Sequence, residues 1–271
     1  MEPNLAVDRL TIVGNKIEYK LQKVIAGSLL VDGRYRAQYP YDWRYELVGG
    51  GVMEIGSLKD QSDIRLDFNP NSVKTEEHKN MIKDLISTMK NVRITRVDPA
   101  LDLKGIDIND YAIIDSLSRK YNSWHSGTGR LETYYIGATT SDLRIRIYDK
   151  ALEQGEKGDW WRIESQLRRE YAENYSLFNP FVNLTLVRKD VDLSHIKTFK
   201  EKVFIKHLLE NQNDLFRLAK NTRTKYKKIL QDLAGSDSTE VDFIGIYEGY
   251  KGIIDATIRE YTQVSETNNV I

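Results

Sequence analysis

The sequence contains no cysteine, which excludes disulfides, thiolate metal sites and cysteine nucleophiles and fits a reducing compartment. Histidine is scarce too. His78, His125, His195 and His207 lie far apart, with no His-x-His or His-x-x-x-His pair, which argues against a histidine metal centre. No apolar run approaches the roughly 20 residues that span a bilayer, and Met1-Glu2-Pro3-Asn4 does not read as the start of a signal peptide. A cytoplasmic protein with no membrane partner is expected. Gly127-Thr128-Gly129-Arg130 lacks the lysine, strand and helix of a phosphate-binding loop, and no serine sits in a nucleophile elbow. There is no net charge either, with 40 basic residues against 40 acidic ones, so the overall balance does not point to a polyanionic partner.

The average hides a segregation. Six basic residues and no acidic ones lie between Arg217 and Gln231, whereas from Asp232 onward eight acidic residues face only Lys251 and Arg259. A basic surface followed by an acidic tail is the expectation. The chain of 271 residues, 40% hydrophobic, is long enough for one large domain or a domain with a helical appendage.

Its first two thirds read as one unit used twice, over about residues 8–70 and 93–168. Each copy opens with a strand, Asp8 to Val13 and then Arg93 to Asp98, followed by a helix, Lys16 to Ala26 and then Asn109 to Tyr121. Three strands follow each helix: Trp43 to Val48, Gly51 to Ile55 and Ile64 to Phe68 in the first copy, and Thr133 to Ile136, Leu143 to Tyr148 and Trp161 to Leu167 in the second. Short glycine-containing connectors favour hairpins over crossovers. An α+β fold results: a curved antiparallel sheet from a duplicated βαβββ unit with helices on one face, then a helical C-terminal region. Between the copies, Thr75 to Lys90 reads as a helix with Thr75 as N-cap. After Asn179-Pro180, helices are expected over Phe199 to Leu209, Asp214 to Leu233 and Asp242 to Tyr261. The division expected is residues 1–180 for catalysis and residues 181–271 for DNA binding and dimerisation.

The chemistry is concentrated in Arg144-Ile145-Arg146-Ile147-Tyr148. Period two puts the isoleucines on one face and two cations with a phenol on the other. Three more strands repeat the motif with carboxylates: Arg65 and Asp67; Arg96, Asp98 and Asp102; Arg162 and Glu164. Asp67, Asp98 and Glu164, with Asp102 as a fourth, are hard oxygen ligands suited to Mg²⁺ or Mn²⁺. Tyr148 would act as nucleophile, its phenolate favoured by Arg146, Lys150 or a metal. The plainer alternative is a lattice of cross-strand ion pairs worth about 1 kcal/mol or less each. Arg223, Lys225, Lys227 and Lys228, on the basic helix, are either a solvated face or phosphate contacts.

The motifs occur in an order that resembles a known family: Thr11-Ile12-Val13-Gly14-Asn15, Arg65-Leu66-Asp67-Phe68-Asn69-Pro70-Asn71, Thr95-Arg96-Val97-Asp98 through Asp102, Thr133-Tyr134-Tyr135-Ile136-Gly137, Arg144 to Lys150, Trp161-Arg162-Ile163-Glu164 and Thr224 to Lys228. Together they resemble the replication initiators of staphylococcal-type rolling-circle plasmids. The resemblance implies an origin-specific, metal-dependent enzyme that nicks and closes DNA. Tyr148 would attack the plus strand at the double-strand origin, remain joined to the 5′ phosphate and free a 3′-OH primer. Arg144, Arg96 and Arg162 would contact DNA, the protein would act as a homodimer, and a superfamily 1 helicase would be recruited. Asp67 stands where relatives commonly have glutamate, and Asp149 where they often have asparagine; both changes preserve the chemistry. Two other readings remain open: a metal-dependent nuclease that activates water, and a catalytically silent DNA-binding protein.

Overall fold

In a computed structural model the described residues are 4–17, 35–36, 43–46, 52–57, 63–235 and 241–262. The helix expected over Lys16 to Ala26 lies almost wholly outside them. The strands are β1 (Asn4–Lys16), β2 (Tyr35–Arg36), β3 (Trp43–Glu46), β4 (Val52–Ser57), β5 (Asp63–Phe68), β6 (Met89–Lys104), β7 (Tyr111–Asp115), β8 (Tyr121–His125), β9 (Leu131–Ile136), β10 (Leu143–Asp149), β11 (Trp160–Arg168) and β12 (Leu184–Arg188). The helices are α1 (Glu76–Ser87), α2 (Lys150–Gln154), α3 (Glu170–Glu173), α4 (Phe199–Glu210), α5 (Lys220–Ala234) and α6 (Phe243–Thr262).

Hydrogen-bonded strands of the first copy run in the order β2-β3-β4-β5-β1, and those of the second in the order β8-β9-β10-β11-β6. In each copy the first strand pairs with the last, and the strands between follow outward in reverse order of sequence. The fold is α+β, with a large antiparallel sheet and a helical C-terminal region. Two compact units share the chain: residues 1–4, 101–163 and 179–249 form one, and residues 5–100, 164–178 and 250–271 the other.

In the second of these units, β1 and β5 pair with Thr11 opposite Asp67 and Val13 opposite Arg65. Their apolar positions, Leu10, Ile12, Ile64, Leu66 and Phe68, are all buried. Helix α1 begins as its sequence requires: the Thr75 hydroxyl accepts from the His78 amide at 3.2 Å, with Glu76 and Glu77 in the first turn. Ile82, Leu85 and Ile86 form its buried stripe. Gly14 is required by close approach, since a Cβ there would meet the Met89 Cβ at 2.8 Å and the Lys90 carbonyl oxygen at 2.9 Å.

The other unit departs from the expected pattern in three places. Asn109 to Tyr121 is not a helix. After a 3₁₀ turn at Ile108–Asp110, Tyr111-Ala-Ile-Ile-Asp115 forms β7, buried at every position and paired with β12. A short run buried on both sides has no strand-like alternation, and its aromatic and β-branched residues favour the strand. Strand β12 itself falls in a region expected to be helical. The helix expected from Asp214 begins only at Lys220: Gln212–Arg217 is 3₁₀, and the chain is extended at Leu218 and Ala219. That break brings Leu215 into the core formed by β7, β12, α4 and α5 and sets Phe216 5.0 Å from the Tyr121 ring.

Candidate functional site

The carboxylates expected on an open face are all buried. Asp67 is 2% exposed and accepts from the Arg9 Nε at 2.5 Å, the Thr11 hydroxyl at 3.0 Å and the Arg65 Nη2 at 3.4 Å. Arg9 was not among the expected site residues, although its spacing from Thr11 on β1 places both on one face. Asp98 is fully buried and accepts from Arg96 through Nε at 2.8 Å and Nη2 at 2.5 Å. Burial pushes its pKa up to about 8, with Arg96 opposing and a hydrogen bond and charge from Glu164 adding to the rise. Two carboxyl groups in contact, with little water to solvate them, cannot both ionise cheaply. Asp67, Asp98 and Glu164 belong to one unit; among the described residues no group of three or more histidine or carboxylate side chains is arranged to hold a metal ion.

Asp102, in the other unit, is committed differently. It accepts from Arg162 through Nε at 2.7 Å and Nη2 at 2.8 Å and from the Trp160 indole at 3.0 Å. This bidentate pair is buried at both ends.

The same unit carries the β8-β9-β10 sheet and Tyr148. Arg146 lies opposite Tyr135, and Tyr148 opposite Thr133. Ile145 and Ile147 are fully buried on the far side, as alternation requires. The Arg146 guanidinium lies 3.7 Å from the centre of the Tyr148 ring, and the Lys150 Nζ lies 5.6 Å from it. Both cations also meet Glu153, Arg146 at 3.7 Å and Lys150 in a close pair. Just beyond the tyrosine, Asp149 caps α2 by accepting from the Leu152 amide at 2.8 Å, so the carboxylate at this position has a local structural task. Tyr134 points the other way: it is buried, its hydroxyl reaches Asn213 at 3.3 Å, and burial raises its pKa well above the ordinary phenol range. Arg144 stacks on the Tyr135 ring at 3.9 Å.

Of the basic helix residues, Lys227 is not a surface contact. It is 7% exposed and its ammonium donates to the Asp115 carbonyl at 2.5 Å and to the Ser118 hydroxyl, and burial lowers its pKa. The reason is register, because Lys227 falls in line with Leu230 and Ala234 on the buried side of α5. Lys225 is exposed and paired with Glu201 at 2.7 Å. Arg223 and Lys228 line a groove of about 710 Å³ together with Lys220, Thr224 and Gln231. Lys227→Met should therefore cost about 1–3 kcal/mol in urea denaturation by stranding carbonyl groups. Lys228→Glu should leave stability within about 0.5 kcal/mol and lower the salt dependence of DNA binding by about one unit of slope.

No family profile matches the chain. It is similar over nearly its whole length to replication initiation proteins of Staphylococcus aureus. One is 27% identical over 266 residues, covering 92% of this chain and 82% of the relative. A second is 27% identical over 254 residues, covering 89% and 79%. Among solved structures, a rolling-circle replication initiator protein from Geobacillus stearothermophilus aligns with a TM-score of 0.47 and 17% identity, covering 85% of this chain and 97% of that one. The resemblance carried by the ordered motifs is borne out by the staphylococcal relatives.

Proposed function

We propose that the chain initiates rolling-circle replication by nicking and closing DNA, with Tyr148 as nucleophile. The observation that carries the proposal is the setting of Tyr148, a buried phenol under the Arg146 guanidinium with Lys150 nearby, in a chain similar throughout to replication initiation proteins. In the reaction the Tyr148 Oη bonds to phosphorus, the bond to the 3′ oxygen breaks, and that oxygen leaves as a 3′-OH while the phosphate stays on the tyrosine. Closing is the reverse, with a DNA 3′-OH attacking and the phenol leaving. One phosphoester replaces another, so neither step consumes ATP.

Arg146 and Lys150 favour the phenolate, and Arg144 neutralises a strand phosphate; Arg96 and Arg162, expected at the DNA, are instead paired with the buried Asp98 and Asp102. Asp98 and Glu164 fit a hard divalent cation, since Mg²⁺ is held by one or two carboxylates together with phosphate oxygens. Such an ion, Mg²⁺ or Mn²⁺, would neutralise the phosphate and polarise the phosphorus. Asp67 is held by Arg9 and Thr11, and Asp102 positions Arg162. In this reading residues 1–180 do the chemistry and residues 181–271, with Arg223, Lys225 and Lys228, hold the plasmid double-strand origin. Homodimerisation and recruitment of a superfamily 1 helicase follow from the same resemblance.

The test uses supercoiled DNA of the replicon that encodes the chain, incubated with protein and Mn²⁺ and then denatured. A protein-linked 5′ end is expected. Nicks with free 5′ ends would point to water activated by the carboxylates, and no nicks at all to a DNA-binding protein without catalysis.

A further inference from the structure

Strand β8 bears a large aromatic side chain where burial does not explain it. Trp124 is 48% exposed. Trp124 and Tyr148 both lie opposite Thr133, one on each side of β9, and Asn122 and Arg146 both lie opposite Tyr135. Directly opposed residues project from the same face, so Trp124, Thr133 and Tyr148 form one cross-strand row, spanning about 10 Å at ordinary strand spacing. A register shift falls between Trp124 and His125, a feature that re-aims side chains at the end of a ladder. β8 also ends the hydrogen-bonded order of strands, where an exposed tryptophan is a liability unless something uses it.

The surroundings say what would use it. Trp124 meets the Tyr135 ring edge-on, with centroids 5.2 Å apart and planes at 79°, which leaves the indole free to take a flat partner. On Tyr135 the Arg144 guanidinium lies 3.9 Å from the ring centre. Among the described residues Arg144 makes no ion pair, and its buried Nε has no hydrogen-bond partner. Arg65, Arg96, Arg146 and Arg162 all reach carboxylates. A cation without a counter-ion beside an open indole calls for a ligand with both an anionic group and a flat apolar one.

We propose that Trp124 is a base-stacking residue, and that with Tyr135 and Arg144 it holds single-stranded DNA beside Tyr148. The indole takes a base face, Arg144 takes a neighbouring phosphate, and Tyr135 keeps both in place. Paired bases in a duplex hide their faces, so the platform selects an unpaired strand. This deepens the proposed nicking function, and rests on it for the role of Tyr148 but not for the binding itself.

The probe is a short mixed-sequence single-stranded DNA oligonucleotide, because stacking tolerates sequence. Titrated by fluorescence anisotropy, Trp124→Ala should bind it about tenfold more weakly, while Trp124→Phe should retain most of the affinity. Binding of the same sequence as a duplex should not change in either variant. Circular dichroism confirms that the variants fold, since an exposed side chain leaves no cavity. Unchanged single-strand affinity in Trp124→Ala would overturn the inference. So would an equal loss for duplex, or a change of oligomeric state without a change in DNA affinity, which would make the patch a protein contact. Failure of the nicking reading would look different: the wild-type protein would bind the oligonucleotide through Trp124 yet leave no protein-linked 5′ end.

Discussion

Tyr148→Phe should abolish covalent attachment to DNA and reduce nicking by several orders of magnitude, on the scale of the roughly 10⁶-fold loss when an enzyme is deprived of its nucleophile. The ring under Arg146 stays in place, 3.7 Å from the guanidinium, so DNA affinity should be unchanged and the fold intact. Paired gel assays separate the two effects, one for retention of supercoiled DNA and one for conversion to open circles. A variant that still nicks and still becomes attached would shift the nucleophile to Tyr135. Tyr134 is a poor substitute, because burial holds its proton and its hydroxyl is turned to Asn213.

Asp98→Asn should alter both the pH dependence of stability and the response to metal. With its pKa pushed up to about 8 by burial first and by Glu164 beside it, Asp98 keeps a proton in the folded chain that the unfolded chain has released above about pH 4. The folded state binds more protons over that window, so stability from this group is fully present below about pH 4. It is lost as pH rises toward about 8. The asparagine variant lacks that slope, and its Tm should gain on the wild type from pH 5 to pH 8, by about 2–4 °C for each kcal/mol recovered. Mn²⁺ should raise the wild-type Tm at pH 8 and leave the variant unmoved. Nicking should fall on the order of 10²-fold or more in Asp98→Asn. Parallel Tm curves across the pH range would show that Asp98 is ionised without help.

Much of this site was legible because period two is a strict rule on a half-buried strand. Arg144, Arg146 and Tyr148 could be placed on one face and the two isoleucines on the other from five residues, and the Arg-x-acid strands followed in the same way. The matching segments Ile64 to Phe68 and Trp161 to Ser165 lie on β5 and β11, which neighbour β1 and β6 in the strand order. Burial was not legible. Nothing in the spacing of Asp67, Asp98 and Glu164 says that they would be buried, since that depends on which strands become neighbours. Tyr111 to Asp115 read as helix because a run buried on both faces has no period of its own. Lys227 read as surface because composition reveals the charge of a helix and only register reveals which lysine turns inward. Trp124 carried no motif; its signal is exposure, and exposure exists only after folding.

The most direct test is to find which side chain carries the DNA. Protein trapped on nicked DNA in Mn²⁺, digested with nuclease and protease, yields a peptide bearing a nucleotide that mass spectrometry can place. The account predicts the mass on Tyr148, joined through the 5′ phosphate. A nucleotide on Tyr135, or nicked DNA with unattached 5′ phosphates and no modified peptide, would contradict it.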